Sequence, residues 1–130
     1  MASMNPHIRS DYSPLEELVM QALRRHGEFT PSTVDGDVSL MMLEFANEVL
    51  EEINSHPYWT GSQLKPYTAL QDVREAPDNI IVLGLVLHYS SQQGSSKDTV
   101  AAEKYFRTMN QTFYRMKHGT ERPTFNQDFR

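Results

Sequence analysis

Apolar positions recur at helical spacing in four stretches of the chain, separated by polar stretches of unequal length. Leu15, Leu18, Val19, Ala22 and Leu23 share one side of a first predicted helix that runs to His26, because residues three and four apart lie on one helix face. Ser13-Pro14-Leu15-Glu16 is a start signal. Ser13 caps, Pro14 suits the first helical position, and Glu16 completes a capping box. Arg24, Arg25 and His26 place positive charge at the negative end of the helix dipole, and Gly27 is a C-terminal stop. After a loop from Glu28 to Gly36, Asp35 or Asp37 caps a second helix over Val38–Ser55. Leu40, Met41, Met42, Leu43, Phe45, Ala46, Val49, Leu50 and Ile53 give it a broad apolar face, and Glu44, Glu48, Glu51 and Glu52 its polar one. His56-Pro57 ends it, since the residue before proline disfavours helix.

The third helix starts near Pro77, with Asp78 in its first turn, and ends around Gln92-Gln93-Gly94. From Ile80 to Leu87 it is apolar nearly all round, so protein must sheathe most of its sides. Ser95 or Ser96 caps a fourth helix over Thr99–His118, where Val100, Ala101, Tyr105, Met109, Phe113 and Met116 recur at helical intervals. Gly119 stops it and Pro123 prevents its resumption. Between the second and third helices, Tyr58-Trp59-Thr60-Gly61 and Gln63 to Thr68 read as extended segments around a Gly61 turn, with Pro66 confining any hairpin to an edge. The expected fold is mainly α: a four-helix bundle with an irregular or short β-hairpin insertion and an extended C-terminal tail. Its parts are a flexible N-terminal arm over 1–12, a helical domain over 13–119 and the tail over 120–130.

Composition narrows the function. With Lys+Arg 12 against Asp+Glu 17, the net charge is −5, which disfavours a protein gripping many phosphates. No cysteine is present, which removes disulfides and thiolate metal sites. Ile80 to Leu87, the longest apolar run, falls far short of the ~18 residues that cross a bilayer, and the N-terminus has no apolar signal core; a soluble chain is expected. His7, His26, His56, His88 and His118 share no metal-ligand spacing, and His88 alone falls inside the apolar helix, where it reads as a satisfied core or bundle-edge residue. Adjacent glutamates in Glu16-Glu17 and Glu51-Glu52 point apart on a helix and form no acid–base dyad, leaving solvated faces. There is no phosphate loop and no nucleophile elbow; Gly84 reads as a point of close helix approach. Trp59 suits either a plug at one end of the bundle or an aromatic anchor for a partner. Lys104, Arg107, Arg115 and Lys117 give the last helix a basic flank, which suits nucleic acid or acidic neighbours. In the tail, Phe125 and Phe129 stand among polar residues like anchors of a segment laid into a partner's groove.

The order and texture of these elements resemble the head-to-tail adaptor, or connector, proteins of tailed bacteriophages. The likeness is carried by Leu18-Val19-Met20-Gln21-Ala22-Leu23-Arg24-Arg25-His26-Gly27, Met42-Leu43-Glu44-Phe45-Ala46-Asn47, Trp59-Thr60-Gly61, Ala76-Pro77-Asp78-Asn79 leading to His88-Tyr89, and Ala101-Ala102-Glu103-Lys104-Tyr105. It spans roughly residues 14–125. The resemblance implies a noncatalytic virion protein of the neck, assembled in the host cytoplasm and needing no cofactor. Such subunits form a homo-oligomeric ring, commonly of twelve, which docks on the portal protein. The ring extends the channel through which double-stranded DNA passes and offers a platform to the tail or nozzle protein. By that analogy Arg122, Pro123, Phe125 and Phe129 contact the portal or a neighbouring subunit. Tyr58, Trp59, Lys65 and Tyr67 face the tail side or the lumen, and Glu44, Glu48, Glu51 and Glu52 suit a channel that lets DNA slide. The alternative reading is a helical nucleic-acid-binding or regulatory module, with Thr99–His118 as its recognition helix.

Overall fold

A computed structural model of the chain describes residues 12–26 and 36–118. Four helices follow one another: α1 (Leu15–His26), α2 (Gly36–Asn54), α3 (Asp78–Gln92) and α4 (Asp98–Lys117). The expected helical bundle is present, with α3 at its centre. This helix packs against each of the other three, whereas α1 and α2 touch only lightly. Ile80, Ile81, Val82, Leu83 and Leu85 are all buried, which is what an apolar surface on every side requires. Close approach is possible because Gly84 lacks a side chain: a Cβ there would lie 2.5 Å from Val49 Cγ2 and 3.0 Å from the Tyr105 ring. The core is completed by Leu15, Leu18 and Val19 of α1, Met42, Val49 and Ile53 of α2, and Tyr105, Met109 and Phe113 of α4.

Several local expectations give way to tertiary contacts. Ser13 does not cap α1; its N–H and Oγ donate to the Asp78 carboxylate at 2.9 and 2.7 Å. The first free N–H groups of α1 find partners in a distant loop, Leu15 on the Asp72 carbonyl at 3.1 Å and Glu16 on that of Leu70 at 2.9 Å. Helix ends must satisfy such groups somehow, and here a neighbouring segment does so. Ahead of α4 it is Lys97, making no side-chain cap bond, that precedes the first helical residue, while the Ser95 Oγ accepts the Lys97 N–H at 3.1 Å. The apolar stripe of α4 is also narrower than its sequence suggests. Val100, Phe106 and Met116 are exposed, and the buried residues of α4 are the single row Tyr105, Met109 and Phe113.

Of the two forms expected between α2 and α3, the insertion takes the irregular one; the short β-hairpin is absent, and no strand occurs among the described residues. Two asparagines on α2 take the place of a β partner. Asn47 accepts the Tyr67 N–H at 2.7 Å and donates to the Tyr67 carbonyl at 3.1 Å. One heptad on, Asn54 accepts the Leu64 N–H at 2.9 Å and donates to its carbonyl at 3.0 Å. Each side-chain amide thus mimics a peptide group of a neighbouring strand. The arm from Ser62 to Thr68 is pinned along α2 instead of folding on itself.

Candidate functional site

The arm is locked from its other side by Asp72 and Arg74. The Asp72 carboxylate accepts the Thr68 N–H and hydroxyl at 2.8 and 2.9 Å and the Ala69 N–H at 3.1 Å. These donors, those of Thr68 foremost, hold its carboxyl below the ordinary carboxylate range. Arg74 donates to the carbonyls of Lys65 and Pro66 at 2.7 and 2.8 Å, and its guanidinium lies 5.3 Å from the centre of the Tyr67 ring. Of the residues expected at an interface, Tyr67 is buried against α2, while Lys65 is exposed. Burial pushes the Tyr67 phenol well above its usual range.

Tyr58 and Trp59 come together at one end of the bundle. The Trp59 ring packs 5.0 Å from Phe113, and its Nε1–H donates to the Ser62 carbonyl at 3.2 Å. A Cβ on Gly61 would collide with this indole, so the turn residue is fixed by the tryptophan. Tyr58 lies 5.4 Å from Tyr114, with the Lys117 ammonium 5.6 Å from its ring centre. His56 packs edge-on to Phe113 at 5.2 Å, and its Nδ1 accepts the Tyr58 N–H at 3.0 Å. Trp59 is half-buried and covers this end of the core. Arg122, Pro123, Phe125 and Phe129, the other expected contact residues, lie outside the described residues, as do the tail over 120–130 and nearly all of the arm over 1–12.

A polar cluster joins three helices on another side. His88 of α3 sits between two glutamates of α2, with Nδ1 3.3 Å from Glu48 and Nε2 3.4 Å from Glu52. Phe45 stacks on its ring at 5.7 Å. Tyr105 of α4 donates to the other Glu52 oxygen at 2.6 Å. The nearby Glu52 carboxylate raises the His88 pKa above its ordinary 6.5 despite burial. Burial pushes Glu52 up, but the contacts from His88 and Tyr105 outweigh it and leave the carboxyl below 4.5. Glu52 is thus a half-buried tie between helices, not the fully solvated side chain its sequence position suggests. Asn47, Asn54 and Arg74 also escape a reading of the sequence, although two asparagines seven apart on one helix were a usable signal. No group of three or more His, Asp or Glu side chains among the described residues is placed to hold a metal ion. No helix among them is long and apolar enough to cross a membrane.

Among the described residues, the sheath around α3 is incomplete. Between α1 and α4 lies a groove of about 440 Å³ whose floor includes Leu83, Val86 and Ala101, with Arg25, Lys97 and Lys104 on its rim. Val100, 68 % exposed, stands at its edge. Lys97 also donates to the carbonyl of His26 at 2.7 Å, closing the C-terminal end of α1.

No protein-family model, curated protein or solved structure matches this chain.

Proposed function

We propose that the chain is a subunit of a head-to-tail adaptor ring in a tailed bacteriophage, docking on the portal and carrying the next tail component. One observation carries the reading: a central apolar helix is clad by three others in the order α1, α2, pinned arm, α3, α4, the order on which the resemblance rests. The polar side chains inside the bundle serve to tie its elements together. Asn47 and Asn54 fix the arm, Asp78 fixes the start of α1, and Glu52 bridges α2, α3 and α4. A rigid block of this kind suits a structural part that must keep its shape under DNA passage. The basic flank of α4 supports nucleic-acid binding poorly, since Arg107 pairs with Glu103 at 3.3 Å and Lys117 lies over Tyr58.

The test is to mix the purified chain with the portal of the same phage and image the product. A stoichiometric ring on the portal is expected, and a portal that stays bare refutes the proposal. Deleting 119–130 is expected to leave a folded chain, because the last buried anchor of α4 is Phe113, while weakening docking.

A further inference from the structure

The groove over α3 has a counterpart elsewhere on the same chain. At 100° per residue, Asp37, Leu40, Glu44, Glu48 and Glu51 fall within about 80° of arc on α2. All five are exposed, and they lie directly opposite the buried row of Met42, Ala46, Val49 and Ile53. Leu40 is 65 % exposed and is the one large apolar side chain of this acidic ridge. The groove presents the converse: an apolar floor of Leu83, Val86 and Ala101 within a rim of Arg25, Lys97 and Lys104. Ridge and groove are opposite in charge, and Leu40 offers an apolar group to the apolar floor.

We propose that the groove receives the acidic ridge of α2 from a second copy of this chain. None of the groove's lining residues belongs to α2, so the two surfaces are separate and can both be engaged at once. Such pairing is head-to-tail, and it closes into a ring or runs on as a filament. Closure rests on the adaptor reading, but pairing does not, and it is measurable without any portal. The two proposals therefore fail separately.

Sedimentation velocity on the full-length chain at low ionic strength provides the test. Self-association is expected, weakening as salt shortens the screening length from ~10 Å at 0.1 M to ~3 Å at 1 M. R25E/K104E reverses the rim without touching Lys97, whose ammonium holds α1. D37K/E44K/E51K reverses the ridge, leaving three basic groups and one acidic, without touching Glu48, which faces His88. Each variant alone is expected to associate at least ~10-fold more weakly than the wild type, since like charges then face each other. Mixing the two restores both kinds of contact, so association should return only in the mixture. Circular dichroism checks that each variant keeps its helices. A wild type that stays monomeric at low salt overturns the proposal. So does association that both reversals leave unchanged, or one that mixing fails to restore.

Discussion

Replacing Asn47 by alanine removes both bonds that hold Tyr67 to α2, those of 2.7 and 3.1 Å. Tyr67 is only 2 % exposed, so its N–H and carbonyl cannot turn to water without lifting the arm. A hydrogen bond contributes about 1 kcal/mol net, and a buried group left without a partner costs about 1–3 kcal/mol. The expected loss is about 2–3 kcal/mol, a large share of the roughly 5–15 kcal/mol that holds a domain together. Asn54→Ala should cost a similar amount, about 2–3 kcal/mol, because Leu64 is buried as Tyr67 is. The two asparagines hold one arm, so the double variant should lose less than the sum, with a coupling of about 1 kcal/mol. Urea unfolding followed by the fluorescence of Trp59, the single tryptophan, measures all three. Asn47→Asp is the sharper control. Its carboxylate still accepts the Tyr67 N–H but repels the Tyr67 carbonyl. Either Asn47→Ala within 0.5 kcal/mol of wild type, on the order of ordinary surface changes, or Asn47→Asp as stable as wild type would refute the pinning argument.

Other consequences follow from the same contacts. His88 has a raised pKa, so its pairing with Glu52 and Glu48 stabilises fully below the ordinary 6.5 and fades as pH rises through the higher folded value. Glu52 has a lowered pKa, so its contribution is full above 4.5 and is lost as acid drives pH through the lower folded value. His56 acts oppositely to His88: burial lowers its pKa, so stability is lost as pH falls below 6.5. Thermal melts of His88→Gln between pH 5 and 9 should therefore show the alkaline loss removed and the loss below pH 6.5, which belongs to His56, retained. Gly84→Ala should cost about 1–2 kcal/mol by overpacking against Val49 and Tyr105, and Val49→Ala in the same chain should relieve part of that, as chemical denaturation would show. Tyr105→Phe removes the 2.6 Å bond to Glu52 and should cost about 1–3 kcal/mol; NMR titration should find the Glu52 pKa raised relative to wild type.

Four helices were legible along the chain because each carries its own period, and their observed bounds fall within about two residues of the reading. The centrality of α3 was legible as well, since Ile80 to Leu85 leave no polar side for water. Gly84 was readable as a contact point because a glycine within so apolar a helix has little other use. What lies between helices was not. Gln63 to Thr68 has the residue texture of an extended segment, but whether it pairs with itself or with α2 depends on where Asn47 and Asn54 stand in space. Ser13 has the chemistry of a cap and spends it on Asp78, 65 positions away, for the same reason. The fate of Glu52 depends on α3 and α4 arriving beside α2, so its neighbours in sequence say nothing about its partners. Periodicity is a property of a short stretch and can be read there. The partner of a hydrogen bond or an ion pair is decided by the path of the whole chain, so only the tertiary structure assigned these polar side chains to the groups they hold.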